Sequence, residues 1–275
     1  MRKTMGRLDN KIAVVTGGTQ GLGAEVARLF AERGAKGLVI CGRSRDKGEA
    51  KAREITERYG TTVHFVPADL GEVADCRQVI AEAAEKFGRI DALVNVAAIT
   101  DRGTILDTDE ALFDRMFAIN TRAPFFLIQD AVKLMLRDGV EGTIVNISSM
   151  SSMAGQPFIA AYCASKGALD TLTRNVAFGL LKNRIRCNAL NIGWMASDGE
   201  DRIQREYHGA PADWLKEAAA RQPFGRLVDP AEVARACAYL SSEESGLMTG
   251  ATINFDQSIW GAYEDSPHPT AKMTL

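Results

Sequence analysis

Tyr162 and Lys166, in the run 162–166 (YCASK), have side chains and a spacing that suit proton transfer. Side chains four positions apart lie on one face of a helix. A lysine ammonium beside a phenol favours the phenolate, so we expect the lysine to lower the tyrosine pKa toward the range useful for acid–base catalysis. Because the same spacing arises by chance in solvated helices, the interpretation depends on the rest of the sequence.

A glycine-rich segment at residues 16–23 (TGGTQGLG) separates an apolar run from a helical pattern. Glycines let the backbone turn tightly and approach a pyrophosphate, and the first N–H groups of the following helix bind anions. The spacing Gly-x-x-x-Gly-x-Gly differs from the commonest dinucleotide motif, and the absence of a following Lys-Ser or Lys-Thr disfavours a nucleoside-triphosphate loop. Its place between strand and helix predicts a dinucleotide site.

The end of the second apolar run bears on the choice of nicotinamide cofactor. An acid there accepts a bond from the ribose 2′-hydroxyl of NAD, whereas an arginine accommodates the 2′-phosphate of NADP. Gly42 stands at the position of the acid, and Arg43 follows it. Because a guanidinium binds phosphate bidentately, the sequence favours NADP(H), with NAD(H) as the alternative. A plain surface position at the start of a helix also fits Arg43 and Arg45.

Apolar runs alternate with helical patterns along the chain, which predicts an α/β fold with a Rossmann-type, doubly wound parallel sheet and helices on both faces. The runs are mostly continuous, as in strands covered on both sides. The seven predicted strands are 11–16, 37–41, 62–66, 91–95, 142–148, 184–190 and 251–255. The main predicted helices are 22–33, 46–59, 72–87, 110–136, 160–181 and 230–240.

No repeat or flexible linker divides the sequence, so we predict a single catalytic domain over 1–275 with a core at about 8–257. Residues 192–227 contain no strand pattern and several aromatics, which predicts a substrate lid at about 194–226. The polar tail at 258–275 is expected to fray beyond about residue 265.

The chain resembles the short-chain dehydrogenase/reductase family from about residue 8 to 256. The family's glycine motif matches Gly17, Gly21 and Gly23, and its Tyr-x-x-x-Lys motif matches Tyr162 and Lys166. Four further motif positions match in the correct order, with two changes in the Asn-Asn-Ala-Gly motif: Asp69, 95–98 (NVAA), Asn120 and Ser149.

The resemblance implies an NAD(P)-dependent oxidoreductase that interconverts a secondary alcohol and a ketone through a tetrad of Asn120, Ser149, Tyr162 and Lys166. Tyr162 is expected to donate the proton to the carbonyl oxygen, and Ser149 to hydrogen-bond that oxygen. The resemblance also implies that Lys166 holds the nicotinamide ribose and that Asn120 orders a water leading to solvent. Asn120 also fits a kink residue before Pro124.

The predicted cofactor contacts follow the ends of the strands. They are Gly17, Thr19, Gln20, Gly21, Leu22, Gly23, Arg43, Ser44, Asp69, Leu70, Asn95, Ala97, Tyr162, Lys166, Gly193 and Ser197. Asn95 also fits a bond within the strand edge, and Asp69 also fits a helix cap. Ile192 and Gly193 replace the family's usual Pro-Gly, while Ser197 keeps a hydroxyl where threonine is usual.

The predicted substrate contacts are Ser151, Met153, Phe158, Trp194 and Met195. They suit a small polar alcohol, a polyol, a sugar or a ketone. A 3-oxoacyl thioester and a hydroxysteroid-type ring are alternatives, although the lid has no strongly basic cluster for an acyl carrier. A non-catalytic NADP(H)-binding sensor and a nucleotide-sugar epimerase or dehydratase are rival functions.

Composition excludes several other classes of protein. Apolar content of 46% and charged content of 25% are ordinary for a globular domain, and a net charge of -2 does not suit nucleic acid or an anionic membrane. Three scattered histidines and five scattered cysteines predict no metal site and no disulfides. The N-terminal residues lack the apolar core of a signal peptide, which predicts a cytoplasmic protein. The family resemblance implies a homodimer or homotetramer that pairs through helices 110–136 and 160–181.

Overall fold

The computed structural model describes residues 6–153 and 155–259. Seven strands form one sheet in the order β3-β2-β1-β4-β5-β6-β7, and every neighbouring pair is parallel. The strands are β1 Ile12–Thr16, β2 Gly37–Gly42, β3 Thr62–Pro67, β4 Ala92–Asn95, β5 Thr143–Ser149, β6 Arg186–Ile192 and β7 Thr252–Phe255. The order reverses beside β1, the place where doubly wound folds bind ligands. The predicted fold class is confirmed.

Helices cover both faces of this sheet. They are α1 Gly21–Glu32, α2 Arg45–Tyr59, α3 Val73–Phe87, α4 Glu110–Phe117, α5 Ala123–Arg137, α6 Ala160–Gly179, α7 Asp198–His208, α8 Trp214–Ala220 and α9 Pro230–Ser241. Successive residues of β1 enter different cores: Ala13 and Val15 pack with α1 and α9, whereas Val14 packs with α3 and α5. Two buried faces explain why the strand sequences are continuously apolar.

The predicted helix 110–136 is not uniform, because a π-helical turn, Ala118–Arg122, joins α4 to α5. The Ala123 N–H donates to the Ala118 carbonyl, a bond one residue longer than in an α-helix. Pro124 follows in the first turn of α5 and has no N–H to donate to the turn before it. The prediction of an uninterrupted α-helix is therefore wrong at this turn, which contains Asn120.

Strand β6 lies two residues later than predicted. Arg184 adopts a left-handed φ of 56° at the end of a short 3-10 turn, so the chain becomes extended only beyond it. Ile192 then continues the strand and lies opposite Phe255 of β7. The prediction of no strand in 192–227 is wrong at Ile192; the described stretch beyond it, 193–227, contains α7 and α8 and no further strand of the sheet. The fraying predicted beyond about residue 265 falls outside the described residues.

Candidate active site

The segments predicted to bind the cofactor lie together at the carboxyl edge of the sheet. The glycine loop follows β1, Arg43 follows β2 and Asp69 follows β3. Asn95 ends β4, and Ser149 ends β5. Parallel strands end at one edge, so a single topology brings these distant positions together.

The glycine loop has the shape of an anion-binding cradle. Gly17 has a φ of 66°, and a Cβ added there would lie 3.2 Å from the Cα of Ala97. A Cβ on Gly23 would lie 2.2 Å from the Gly17 carbonyl oxygen, so the loop and α1 are in backbone contact. Gly21, with a φ of 52°, faces open space, and within the described residues no side chain caps the start of α1, where Gln20 is the N-cap residue. The backbone N–H groups of the first turn of α1 are therefore available to bind a pyrophosphate.

The residues after β2 fit a ribose that carries a 2′-phosphate. A Cβ on Gly42 would lie 2.8 Å from the Thr19 side chain, so an acidic side chain at 42 would displace Thr19. Arg43 is exposed, and Ser44 caps α2 by accepting from the Lys47 N–H. A cation therefore follows β2, and an acidic side chain at 42 would require Thr19 to move.

Two predicted cofactor residues use their side chains within the protein. Asp69 is exposed, and its Oδ1 accepts from the Gly71 N–H at 2.9 Å, so it closes a local turn and does not cap α3, which begins after Glu72. Asn95 is buried, and its Nδ2 donates to Asn146 Oδ1 at 2.8 Å across the β4–β5 pair. Of the remaining cofactor candidates, Leu22 and Leu70 are buried and Ala97 is half-buried.

Three of the four predicted catalytic residues meet where β5 ends against α6. The Ser149 side chain interacts with the Tyr162 hydroxyl and accepts from the Ser151 N–H at 3.1 Å. The Lys166 Nζ lies 5.7 Å from the centre of the Tyr162 ring and donates to the Ile147 carbonyl at 2.7 Å. All three side chains are buried at the edge of the sheet.

Burial affects the pKa values of Tyr162 and Lys166 more than the expected pairing of the two side chains does. Burial raises the pKa of Tyr162 to about 12, and the interaction with Ser149 only partly opposes it. Burial also lowers the pKa of Lys166 to about 8, against the attraction of Asp170. The expectation of a lowered tyrosine pKa is wrong, because the free-energy cost of removing the phenolate from water exceeds the stabilisation that the hydrogen bond of Ser149 provides.

Asn120 connects two parts of the site. Its Oδ1 accepts from the Ile99 N–H, and its Nδ2 donates to the Ile99 carbonyl, both at 2.9 Å. The same Nδ2 donates to Ser165 Oγ at 3.1 Å, and Ser165 Oγ donates to the Tyr162 carbonyl at 2.8 Å. Asn120 thus holds the segment after β4 against the helix that carries Tyr162. The water-ordering role implied for it stays a prediction.

The residues after β6 shape the other side of the site. Gly193 lies against Asp256, since an added Cβ would come within 1.9 Å of its Oδ1. Ser197 Oγ caps α7 by accepting from the Glu200 N–H at 3.1 Å. Trp194 stacks on Trp214 at 5.9 Å, and its Nε1 donates to Glu200 Oε1 at 2.8 Å.

The predicted substrate residues contact polar as well as apolar groups of neighbouring segments. Ser151 donates from its Oγ to Gln156 Oε1 at 3.1 Å. The Phe158 ring packs under the Arg102 guanidinium at 5.3 Å and against His208 at 6.0 Å. Met153 and Met195 are half-buried, and Met195 forms a bridge with Val228.

Sequence reasoning did not identify Arg102. Its Nε donates to His208 Nε2 at 3.2 Å, which joins the segment after β4 to the end of α7. Arg102 and Glu200 both act on the charge of Tyr162, the former favouring the phenolate and the latter opposing it. The available signal was its position a few residues beyond Asn95 at the ligand-binding edge of the sheet.

Other sites are not evident in the described residues. No group of three or more histidine, cysteine, aspartate or glutamate side chains within 6–153 and 155–259 is arranged to hold a metal ion. Among the same residues, no helix combines the length and apolar character needed to cross a membrane.

Comparison with known proteins agrees with this geometry. Residues 17–257 match a family model described as enoyl-(acyl carrier protein) reductase. An uncharacterized oxidoreductase of Thermotoga maritima is 37% identical, with 90% of this chain and 96% of the relative covered. The fold superposes on a short-chain type dehydrogenase/reductase from Mycobacterium marinum with a TM-score of 0.83 and 28% identity, covering 92% of this chain and 96% of that one.

The chain belongs to the short-chain dehydrogenase/reductase family. A further relative, galactitol 2-dehydrogenase of Agrobacterium fabrum, is 32% identical and is covered over 99% of its length and 92% of this chain. As a short-chain dehydrogenase/reductase, the protein is an NAD(P)-dependent oxidoreductase acting on alcohol groups. The membership confirms the resemblance read from the sequence.

Proposed function

We propose that the protein interconverts a small polar secondary alcohol and the corresponding ketone, with NADP(H) as the preferred cofactor and Tyr162 as the acid and base. The observation that carries this proposal is the meeting of Ser149 and Tyr162 at the sheet edge, beside an open glycine cradle. A nucleotide held by that cradle would extend along the same edge toward both hydroxyls.

The side chains of this group divide the work of proton transfer. For ketone reduction, Tyr162 donates its proton to the substrate oxygen, and Ser149 donates a hydrogen bond that stabilises the developing charge. The bound nicotinamide would supply the hydride, and in alcohol oxidation it would accept one. Lys166, on the same face of α6, favours ionisation of Tyr162 when protonated and would hold the nicotinamide ribose. Burial excludes bulk water from this exchange.

Preference for NADP(H) rests on Arg43 and on the contact between Gly42 and Thr19. Charged hydrogen bonds to a phosphate contribute about 1.5–3 kcal/mol, so replacing Arg43 with Ala should weaken NADP(H) binding about 10- to 100-fold and leave NAD(H) nearly unchanged. Arg45→Ala is the matched control, since Arg45 is also exposed but pairs with Glu49. Titration calorimetry with both cofactors measures the effect. Equal losses for the two cofactors would contradict the assignment.

The polar groups near Tyr162 suit a substrate with several hydroxyl groups. Arg102 can donate hydrogen bonds and Glu200 can accept them, while Phe158 and Trp194 present half-exposed apolar surfaces. The relative that is named as a galactitol 2-dehydrogenase supports a polyol or sugar. A 3-oxoacyl thioester or a hydroxysteroid remains an alternative substrate for the same reaction.

A spectrophotometric panel at 340 nm tests the proposal directly. Polyols, sugars, simple ketones, acyl thioesters and steroids are each assayed with NADP(H) and with NAD(H), and we expect turnover of a polyol, a sugar or a small ketone. Turnover of thioesters or steroids alone would show that the substrate is a 3-oxoacyl thioester or a hydroxysteroid and not a small polar alcohol. Tight NADP(H) binding without turnover of any compound would favour a nucleotide sensor.

A further inference from the structure

Asp170 is a buried carboxylate on α6, one helical turn beyond Lys166. Its Oδ2 accepts from Ser152 Oγ at 2.5 Å and from Asn191 Nδ2 at 3.3 Å. Asn191 Nδ2 also donates to Ser152 Oγ at 3.1 Å. Asp170, Ser152 and Asn191 therefore form a closed polar group, which we call the Asp170 cluster.

The Asp170 cluster joins the three elements that carry the candidate site. Asp170 belongs to the helix of Tyr162 and Lys166, and Ser152 ends the 3-10 turn that directly follows Ser149. Asn191 lies on β6 opposite Ser148, two residues before Gly193. One carboxylate thus sets the position of the helix, the serine turn and the strand relative to one another.

The hydrogen bonds of the cluster do not satisfy its negative charge. Within the described residues, Asp170 Oδ1 and Asn191 Oδ1 are buried without a hydrogen-bond partner. A buried carboxylate is stable only when a cation compensates it. The Lys166 ammonium is 2% exposed and lies one helical turn away, and the attraction of Asp170 opposes the effect of burial on the lysine pKa.

We propose that Asp170 is a positioning residue that keeps Lys166 protonated and fixes the turn after Ser149, and so controls proton transfer at Tyr162. The proposal rests on the proposed function for the role of Tyr162, but the protonation of Lys166 can be measured without any reaction. Other charged or titratable groups facing this site are Cys163 on α6, Glu200 on α7 and Arg102 after β4.

The sign of the effect follows from this arrangement. Without the Asp170 charge, burial acts on Lys166 almost unopposed, so the lysine loses its proton at a lower pH. A neutral Lys166 no longer favours the phenolate of Tyr162, so alcohol oxidation requires a higher pH. Asp170→Asn keeps the shape of the side chain and removes its charge. Ser152→Ala removes a hydrogen bond of the cluster and keeps the charge.

Lysine side-chain ¹³C NMR titration of the full chain, without cofactor, is the first test. The Lys166 resonance is identified by its loss in Lys166→Met. We expect its midpoint near 8 in the unmodified protein, about one pH unit lower in Asp170→Asn, and unchanged in Ser152→Ala and Asp170→Glu. An unchanged midpoint in Asp170→Asn would overturn the proposal. If that variant does not fold by circular dichroism, Asp170→Ser replaces it with the same expected shift.

Kinetics with a panel substrate are the second test. Asp170→Asn should lower kcat for alcohol oxidation in the range where Lys166 loses its proton, by about twofold at pH 7 and about fivefold at pH 8, with little change in KM for the cofactor. Asp170→Glu, which keeps the charge, should show the same pH profile of kcat as the unmodified protein. A lower kcat with an unmoved profile would show a merely structural role. A failed panel with the expected NMR shift would instead reject the proposed function alone.

Discussion

At the scale of single residues, the site is governed by the balance between burial and charge. Tyr162 and Lys166 share a helix face as expected, but both lie in a protein interior that penalises their charged forms. Burial therefore raises the pKa of the phenol to about 12 and lowers that of the ammonium to about 8. A nearby charge such as that of Asp170 therefore has a large effect on the pKa of Lys166.

Replacing Tyr162 with Phe should remove the proton donor and keep the ring that packs beside Met116 and Ile159. We expect kcat to fall at least about 100-fold, since general acid–base catalysis contributes that much or more, with NADP(H) affinity nearly unchanged. Steady-state kinetics and calorimetry measure the two effects. Turnover close to that of the unmodified protein would refute the role of Tyr162.

The two directions of the reaction should respond differently to pH. Ketone reduction uses the protonated phenol, which is present throughout the neutral range because burial raises the pKa of Tyr162 to about 12. Alcohol oxidation uses the phenolate, so its kcat/KM should rise as the pH increases. Profiles of kcat/KM in both directions from pH 6 to about 10 measure this difference. An oxidation rate independent of pH over that range would contradict the assignment.

At the scale of elements, irregular backbone places the key side chains. The π-helical turn Ala118–Arg122 contains Asn120, whose amide bonds both the Ile99 backbone and Ser165. Gly193, directly after β6, lies so close to the side chain of Asp256, directly after β7, that an added Cβ would overlap the carboxylate. Each irregularity lies at the carboxyl edge of the sheet, where the elements must converge on a ligand.

Replacing Gly193 with Ala should separate the ends of β6 and β7, because the new methyl would overlap the Asp256 carboxylate. We expect a loss of about 1–3 kcal/mol in the free energy of unfolding, measured by urea denaturation. Gly179→Ala is the matched control: its Cβ would meet nothing within 4 Å at the end of α6, so stability should rise by about 0.5–1 kcal/mol. Equal free energies of unfolding for the two variants would show that a methyl group at 193 does not overlap Asp256.

At the scale of the whole molecule, large aromatic side chains are exposed on the helices expected to pair between subunits. Phe178 of α6 is 79% exposed, and Phe113 of α4 and Phe125 of α5 are each 46% exposed. Apolar surface of this kind favours association. The homodimer or homotetramer and the cytoplasmic location stay predictions from the sequence.

Light scattering of the full chain should therefore give the mass of two or four subunits. Phe178→Asp should shift the protein toward smaller species, because a carboxylate on the pairing face resists burial. Phe224→Asp is the control, since Phe224 is 73% exposed but lies outside these helices. A single-chain mass for the unmodified protein would exclude the assembly.

The sequence by itself determined the fold class, the family and the set of candidate residues. Continuous apolar strands require a covering layer on each face, which gives the fold class. The glycine motif at 16–23 followed by the Tyr-x-x-x-Lys motif at 162–166 is typical of the family. Local pattern is enough for these conclusions, because strand and helix periods are properties of adjacent residues.

Only the tertiary structure decided how these residues are charged and supported. The raised pKa of Tyr162, the side-chain bond that joins Asn95 to Asn146, and the Asp170 cluster depend on contacts between segments far apart in the chain. Desolvation and hydrogen bonding depend on distance in space and not on spacing in sequence. The sequence therefore indicates which groups meet, and the fold sets the electrostatic conditions in which they work.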